Sequence, residues 1–244
     1  MKRFILGLFA LAVMVMVLAA CGGGRDGVLI VRGSGDIVSQ SFEHTGFSGV
    51  SAGGVYEVSF LRSDTYSVRI VTHENLFENI TVDVNRNGVL VVGTRGGINF
   101  DGTAPRLYIE APFLDYVNLS GAAVAYGWDD IRVDAFELNL SGSASVDLFL
   151  AVDRLHVNMS GSSNASLYGR VDVMEASLSG SSSFRGRELH VRDVLMSLSG
   201  STRAYVYAGD YIDVRASGSS RLYYRGLPRL AQNTSGSARV NRID

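Results

Sequence analysis

Along the second half of the chain, apolar residues come in pairs separated by one polar residue, and the pairs recur at nearly constant intervals. Val117/Leu119, Leu138/Leu140, Val157/Met159, Ala176/Leu178, Met196/Leu198 and Val214/Ala216 bracket Asn118, Asn139, Asn158, Ser177, Ser197 and Arg215. Alternation with a period of two predicts a strand with one face buried and one wet. Each pair runs directly into a Ser-Gly dipeptide, at Ser120-Gly121, Ser141-Gly142, Ser160-Gly161, Ser179-Gly180, Ser199-Gly200 and Ser217-Gly218, and a seventh stands at Ser235-Gly236. The steps are 21, 19, 19, 20, 18 and 18 residues. Five residues past each Ser stand Val146, Ala165, Phe184, Ala204, Leu222 and Val240, mostly between polar neighbours, which predicts a second strand after every turn. The first unit is expected to leave this register, with Val124 and Tyr126 carrying its apolar beat and a bulge absorbing its longer step.

A unit that repeats near twenty residues and cannot bury its own apolar face implies a solenoid. Two residues past the Ser, another Ser fills six of seven places (Ser143, Ser162, Ser181, Ser201, Ser219, Ser237), and Ala122 the other. In such a Ser-Gly-Ser corner, Gly supplies backbone angles closed to other residues and lets stacked corners approach closely. The hydroxyls are expected to bond to turn backbone and to the Ser one coil on. Two strands and a small-residue corner, copied in series, predict an all-β fold, a parallel β-helix with coils about 4.8 Å apart. Asn118, Asn139 and Asn158 read as a stacked polar ladder on the wet face of the first strand; their Asn-x-Ser context falls out of the repeat.

The stretch before the repeats is β-rich but less regular. Val28 to Val31, Ile37 to Phe42, Phe47 to Ser51, Val55 to Phe60 and Tyr66 to Ile70 read as strands, and His73 to Glu78 as one helical turn. Ile80 to Val84 and Val89 to Val92 pair around Asn87-Gly88, a tight-hairpin signal. Thr94 to Thr103, rich in Gly, is expected to be a loop, and Pro105 to Ala111 leads into the repeats. This part is expected to cap one end of the solenoid, where open strand edges invite aggregation. At the other end Gln232, Thr234 and Arg242 stand where earlier units place apolar residues, which reads as a built-in cap.

The amino terminus changes the picture of where the protein works. Lys2-Arg3 precede an apolar run from Phe4 to Ala20, and Leu18-Ala19-Ala20 lead into Cys21, the single cysteine of 244 residues. A basic start and a short apolar core make a secretory signal. Leu-Ala-Ala-Cys matches the bacterial lipoprotein signal, which implies cleavage before Cys21 and acylation of it. The expected organisation is a signal peptide over 1–20, a lipidated tether over 21–27, a β-rich part over 28–111 and the repeat β-helix over 112–244. The expected location is extracytoplasmic, anchored by N-terminal lipid to the cell membrane or outer membrane, with two or three acyl chains giving firm attachment. One cysteine excludes an internal disulfide. The formal charge of −2 becomes −4 once Lys2 and Arg3 leave with the leader, which gives no reason to expect nucleic acid.

No motif in the sequence carries catalysis. His44, His73, His156 and His190 lie in different segments without metal-ligand spacing, so no metal is expected. There is no phosphate loop and no Gly-x-Ser-x-Gly elbow, and no other cofactor is implied. The corner serines have no fixed base beside them. Asp129-Asp130, read in a strand, would point to opposite faces rather than act as a pair. The outward positions of the second strand are more telling. Four residues past the corner Ser the column reads Ser145, Asn164, Ser183, Arg203, Arg221, Arg239; at six it reads Asp147, Ser166, Arg185, Tyr205, Tyr223, Asn241. The face turns basic and aromatic toward the carboxyl end. Aromatic rings suit sugars and arginine suits carboxylates, so Arg185, Arg203, Tyr205, Arg221, Tyr223 and Arg239 are the candidate ligand-binding residues, for an acidic glycan or envelope polymer.

Phe47-Ser48-Gly49-Val50, Gly54 to Val58, Asn75-Leu76, Gly88 to Val92 and the Ser-Gly-Ser coils together resemble the bacterial family described as putative auto-transporter adhesin, head GIN domain, over roughly Ile37 to Ile243. The resemblance implies a right-handed β-helix similar in shape to pectin lyases but without their catalytic residues, and a role in adhesion. The expected protein is a non-enzymatic, lipid-anchored adhesin. The competing readings are a polysaccharide-degrading enzyme on the same scaffold and a purely structural envelope protein; the oligomeric state is not legible. Replacing Cys21 by Ser is expected to abolish acyl labelling and release the protein from the membrane fraction. Membrane partition that survives without label overturns the lipoprotein reading.

Overall fold

The computed structural model describes residues 29–96, 98–127 and 129–244; the leader, Cys21 and the tether lie outside them. The described residues are 68% strand and 3% helix, stacked as a parallel β-solenoid of about seven turns. The strands are β1 (Leu29–Arg32), β2 (Ile37–Phe42), β3 (Gly49–Gly54), β4 (Glu57–Arg62) and β5 (Ser67–His73). A 3-10 turn (Glu74–Asn79) follows, then β6 (Ile80–Val84), β7 (Val89–Thr94), β8 (Ile98–Asp101) and β9 (Arg106–Ala111). The repeats supply β10 (Tyr116–Gly121), β11 (Val124–Gly127), β12 (Ile131–Leu140), β13 (Ser145–Met159), β14 (Asn164–Leu178), β15 (Ser183–Leu198), β16 (Arg203–Ala216), β17 (Arg221–Arg225), β18 (Arg229–Thr234) and β19 (Arg239–Arg242).

Every repeat strand pairs in parallel with its counterpart one coil on, so equivalent residues form rows along the axis. One row runs Leu90, Val50, Val117, Leu138, Val157, Ala176, Met196, Val214, Gln232. Its members from Leu90 to Val214 are at most 4% exposed. Within β13 the buried positions are Val146, Leu148, Leu150, Val152, Leu155, Val157 and Met159. Two consecutive exposed residues, Asp153 and Arg154, mark a second bend where the alternation changes phase. Each coil thus has a soft bend there and a sharp one at Ser-Gly-Ser.

The sharp corner is a close contact repeated at every coil. The corner glycines have φ of 70–76°, in the left-handed region that glycine alone enters freely. The carbonyl of each accepts the amide two residues past the next corner's Ser, from Ser162 to Gly142 and from Ser181 to Gly161 at 2.7 Å. A Cβ on Gly161 would lie 2.5 Å from the Gly142 oxygen, so the row has no space for a side chain. Serine hydroxyls bond backbone here rather than the serine of the next coil: Ser182 and Ser220 donate to Ser179 and Ser217 carbonyls, and Ser179 to that of Met159.

The stack extends below the repeats. Ser120 and Gly121 sit over Gly53 and Gly54, and the Ala122 amide donates to the Gly54 carbonyl at 2.7 Å, so Gly53-Gly54 is one more corner. A Cβ on Gly53 would come within 3.0 Å of the Ser120 hydroxyl, which would have to turn aside. Parallel β7 and β9 lie beneath β3 and β4, and antiparallel β6 and β2–β5 then end the two faces. Antiparallel edges interrupt the template for further parallel coils. Tyr56 is buried in this part, its hydroxyl donating to the Gly93 carbonyl at 2.8 Å, and burial pushes its pKa upward. At the opposite end β18 and β19 are largely exposed, as the loss of apolar residues there implies.

Two expectations fail locally. The first unit keeps the register: Ala125, only 6% exposed, sits over Val146, while Val124 and Tyr126 sit over Ser145 and Asp147. The pairing offset is 21 through β11 and 19 from Ile131 onward, so the two extra residues fall between β11 and β12 and not in a bulge of the strand. A small alanine between two larger residues hid the beat. The Gly-rich stretch after Thr94 is not all loop: Ile98 and Phe100 alternate within β8, which pairs in parallel with β1, and Arg32 meets Asp101 at 2.7 Å.

The corner geometry makes a direct prediction. Gly46 has φ 73° but open space around it, whereas Gly161 has φ 71° and the Gly142 oxygen against it. Gly46→Ala is expected to cost about 1–2 kcal/mol for the left-handed backbone alone. Gly161→Ala is expected to cost about 1–3 kcal/mol more for the displaced carbonyl. Urea denaturation of both variants checks this, and equal losses would contradict a tightly stacked corner row.

Candidate functional site

The solenoid presents two long faces, one on each side of the Ser-Gly-Ser corner. On the side that follows the corner, in-register pairing brings the predicted residues together. Arg203, Arg221 and Arg239 stand directly over one another, and so do Arg185, Tyr205, Tyr223 and Asn241. The Tyr205 and Tyr223 rings stack at 4.9 Å with planes 15° apart. Arg187, which column counting misses, lies with its guanidinium 4.1 Å from the centre of the Tyr205 ring. It comes from a register shift in β15: Gly186 pairs with Val206 but His190 with Tyr207, so residues 187–189 have no counterparts in β16.

The stacking changes what this face offers. Tyr205 lies between Arg187 from the coil before and Tyr223 from the coil after, so both faces of its ring are covered. Tyr205 therefore leaves no ring face on which a sugar ring could stack, and Tyr223 spends one of its faces on Tyr205. The arginines remain available. Among the described residues no carboxylate lies within 4 Å of Arg185, Arg203, Arg221 or Arg239. Arg192 behaves differently: Asp193 at 3.1 Å and Asp172 at 3.6 Å hold it and push its pKa upward, chiefly through the Asp193 hydrogen bond. Charge follows the same division. Residues 200–244 carry seven arginines against three aspartates, a net +4; residues 29–199 carry twelve against twenty acids, a net −8.

On the side that precedes the corner, the wet positions of the first strand form the expected ladder in part. Asn118 donates to the Ser51 hydroxyl, Asn158 to the Asn139 oxygen and Asn139 to Glu137, at 2.9, 2.9 and 2.7 Å. Between this column and the corner serines runs a groove of about 620 Å³, reaching from Asn118 to Asn233. Beside it, a hollow of about 430 Å³ gathers Asp115, Tyr116, Glu137, Arg154, His156 and Glu175. Glu137, His156 and Glu175 occupy consecutive coils, with His156 Nδ1 3.8 Å from a Glu175 oxygen. Neither groove nor hollow is apparent in the sequence, although the run of short polar residues two positions before the corners, from Asn118 to Ser197, is the groove's signal.

Asp129 and Asp130 lie in the loop before β12, where Asp129 accepts the Arg62 amide and Asp130 pairs with Arg132 at 3.1 Å. Among the described residues no group of three or more His, Cys, Asp or Glu is placed to hold a metal ion. Nor is any described helix long and apolar enough to cross a membrane.

Known proteins share this architecture. A putative adhesin from Bacteroides fragilis superposes with a TM-score of 0.80 at 18% identity, over 87% of this chain and 100% of that one. One from Parabacteroides merdae does so at 0.70 and 20% identity, over 88% and 99%. A putative lipid binding protein from Parabacteroides distasonis does so at 0.72 and 18% identity, over 88% and 100%. At such identities the likeness establishes the fold. No curated protein matches the sequence. The family model described as putative auto-transporter adhesin, head GIN domain, matches residues 46–228, three-quarters of the chain, and the protein belongs to that family.

Proposed function

We propose that the protein is a lipid-anchored, non-enzymatic surface adhesin that holds an acidic polymer along Arg203, Arg221 and Arg239, with Arg185 and the hydroxyl edges of Tyr205 and Tyr223 beside them. The observation that carries this reading is the row of three arginines on successive coils with no carboxylate partner among the described residues. Like charges about 4.8 Å apart repel one another, modestly in water. A chain bearing carboxylate, sulfate or phosphate groups would relieve that repulsion along its whole length. Guanidinium forks suit such groups through paired hydrogen bonds. Covered ring faces shift the expected contact from sugar stacking, the sequence-based expectation, to charge and hydroxyl contacts. The acylated Cys21 of the lipoprotein reading would tether the solenoid at the membrane.

One observation favours a second reading. Glu137 and Glu175 flank His156 in a hollow, and a pair of carboxylates is the usual equipment for cleaving glycosidic bonds. Both, however, are on an open face, with Glu175 63% exposed, far from the contrasting environments that separate an acid from a base.

Two measurements decide between these readings. The combined variant Arg203→Ser, Tyr205→Ser, Arg221→Ser and Tyr223→Ser is expected to lose retention on immobilised polygalacturonate at least tenfold. Wild-type retention should itself fall steeply between low and physiological salt. Retention equal to wild type at low salt, with circular dichroism unchanged, rules the patch out. A fall in viscosity of polygalacturonate on incubation with the wild-type protein would instead support the enzymatic reading.

A further inference from the structure

We propose that the groove on the opposite face, between the Asn/Ser column and the corner serines, is a second and separate binding site whose ligand is an extended strand of neutral polysaccharide. Its dimensions select a chain over a compact molecule. From Asn118 to Asn233 it crosses six coil steps, roughly 29 Å at the usual strand spacing. Its 620 Å³ is drawn out over that length as a long, open channel, which suits a chain lying along it better than a compact molecule.

The lining selects the chemistry. The floor is backbone whose polar groups are already used from coil to coil: the Ser160, Ser179 and Ser199 amides donate to the Leu140, Met159 and Leu178 carbonyls at 2.8–2.9 Å. An extended peptide therefore finds no free strand edge to pair with. What remains is a double row of amides and hydroxyls, each able to donate and to accept. Across five coils, from Asn118 to Ser197, the inner row carries no charge. The neighbouring hollows add Asp115, Glu137, Glu175 and Asp213 against Arg154 and Arg215, a net −2, so the local field disfavours a polyanion. A neutral polyhydroxyl chain meets every condition: its hydroxyls can match both rows and can donate to the glutamates. Short Ser and Asn side chains lose little rotamer freedom on being fixed. Arg215, the first long side chain in the inner row, marks where the uniform lining ends.

The site stands independently of the arginine row, and the test keeps them apart. Full-length protein is titrated calorimetrically with neutral hexaoses of β-1,4-linked glucose, mannose and N-acetylglucosamine, and with oligogalacturonate. At least one neutral hexaose is expected to bind. Ser177→Arg with Ser197→Arg repeats in two coils the side chain that Arg215 already places in this row, so the fold accommodates it. That variant is expected to lose neutral binding at least tenfold while keeping oligogalacturonate binding. Ser177→Ala with Ser197→Ala is expected to weaken neutral binding several-fold. The arginine-row variant should bind neutral hexaose as wild type does. No heat with any neutral hexaose at millimolar concentration, or unchanged binding in the Ser177→Arg, Ser197→Arg variant, overturns the proposal.

Discussion

Everything in this protein rests on the contact between one glycine corner and the next. The carbonyl of each corner glycine accepts an amide from the coil above at about 2.7 Å, and the same oxygen occupies the space a Cβ would need. The corner therefore fixes the spacing of coils and the register of both strands that leave it. Once register is fixed, each side chain meets its own counterpart from the neighbouring repeat, and the sequence is forced to be consistent by rows. Buried rows must be apolar throughout. Exposed rows multiply whatever chemistry one coil carries, amides over amides on one face and arginines over arginines on the other.

The row just inside the corner shows how steric demand outranks hydrogen bonding. It holds Ala123, Ala144, Ser163, Ser182, Thr202, Ser220 and Ala238, all buried. Ser182 and Ser220 donate to corner carbonyls, yet Ser163 and Thr202 find no partner among the described residues. Alanine serves at three of these places. The position selects a small side chain that fits under the turn, and a hydroxyl is tolerated there because the corner carbonyls lie within reach of some members of the row.

Rows also explain what could be read from the sequence. The corners, the two strands and the ladder positions are periodic, and a repeated constraint leaves a repeated mark. The Asn87-Gly88 hairpin was legible for another reason, since its turn needs a left-handed residue at Gly88, φ 71°. What escaped were departures from the period. Ala125 lies in the buried row but is smaller than its exposed neighbours, so size pointed to the wrong residues. Arg187 reaches Tyr205 only because β15 carries residues that β16 lacks. Gly53-Gly54 is a corner without the serine that marks the others. The groove is a property of two adjacent rows together, and counting one row at a time does not reveal it. Ring stacking is similar: two tyrosines in a column look like a platform until their spacing makes each cover the other.

The placement of charge along the axis separates a basic end from an acidic body. The +4 of residues 200–244 and the −8 of residues 29–199 lie toward opposite ends of a stack whose first and last Ser-Gly corners are roughly 29 Å apart. Screening in physiological salt decays over about 8 Å, so the acidic majority does little to cancel the field of the arginine row at the last coils. A polyanion approaching from solution is drawn to that end and disfavoured along the rest. The Asn/Ser groove runs from acidic coils into the basic end at Arg215, so a charged chain of either sign meets opposition along part of it and an uncharged chain does not. A net charge near neutrality thus conceals two surfaces of opposite preference, and it is the stacking of like on like that keeps them apart.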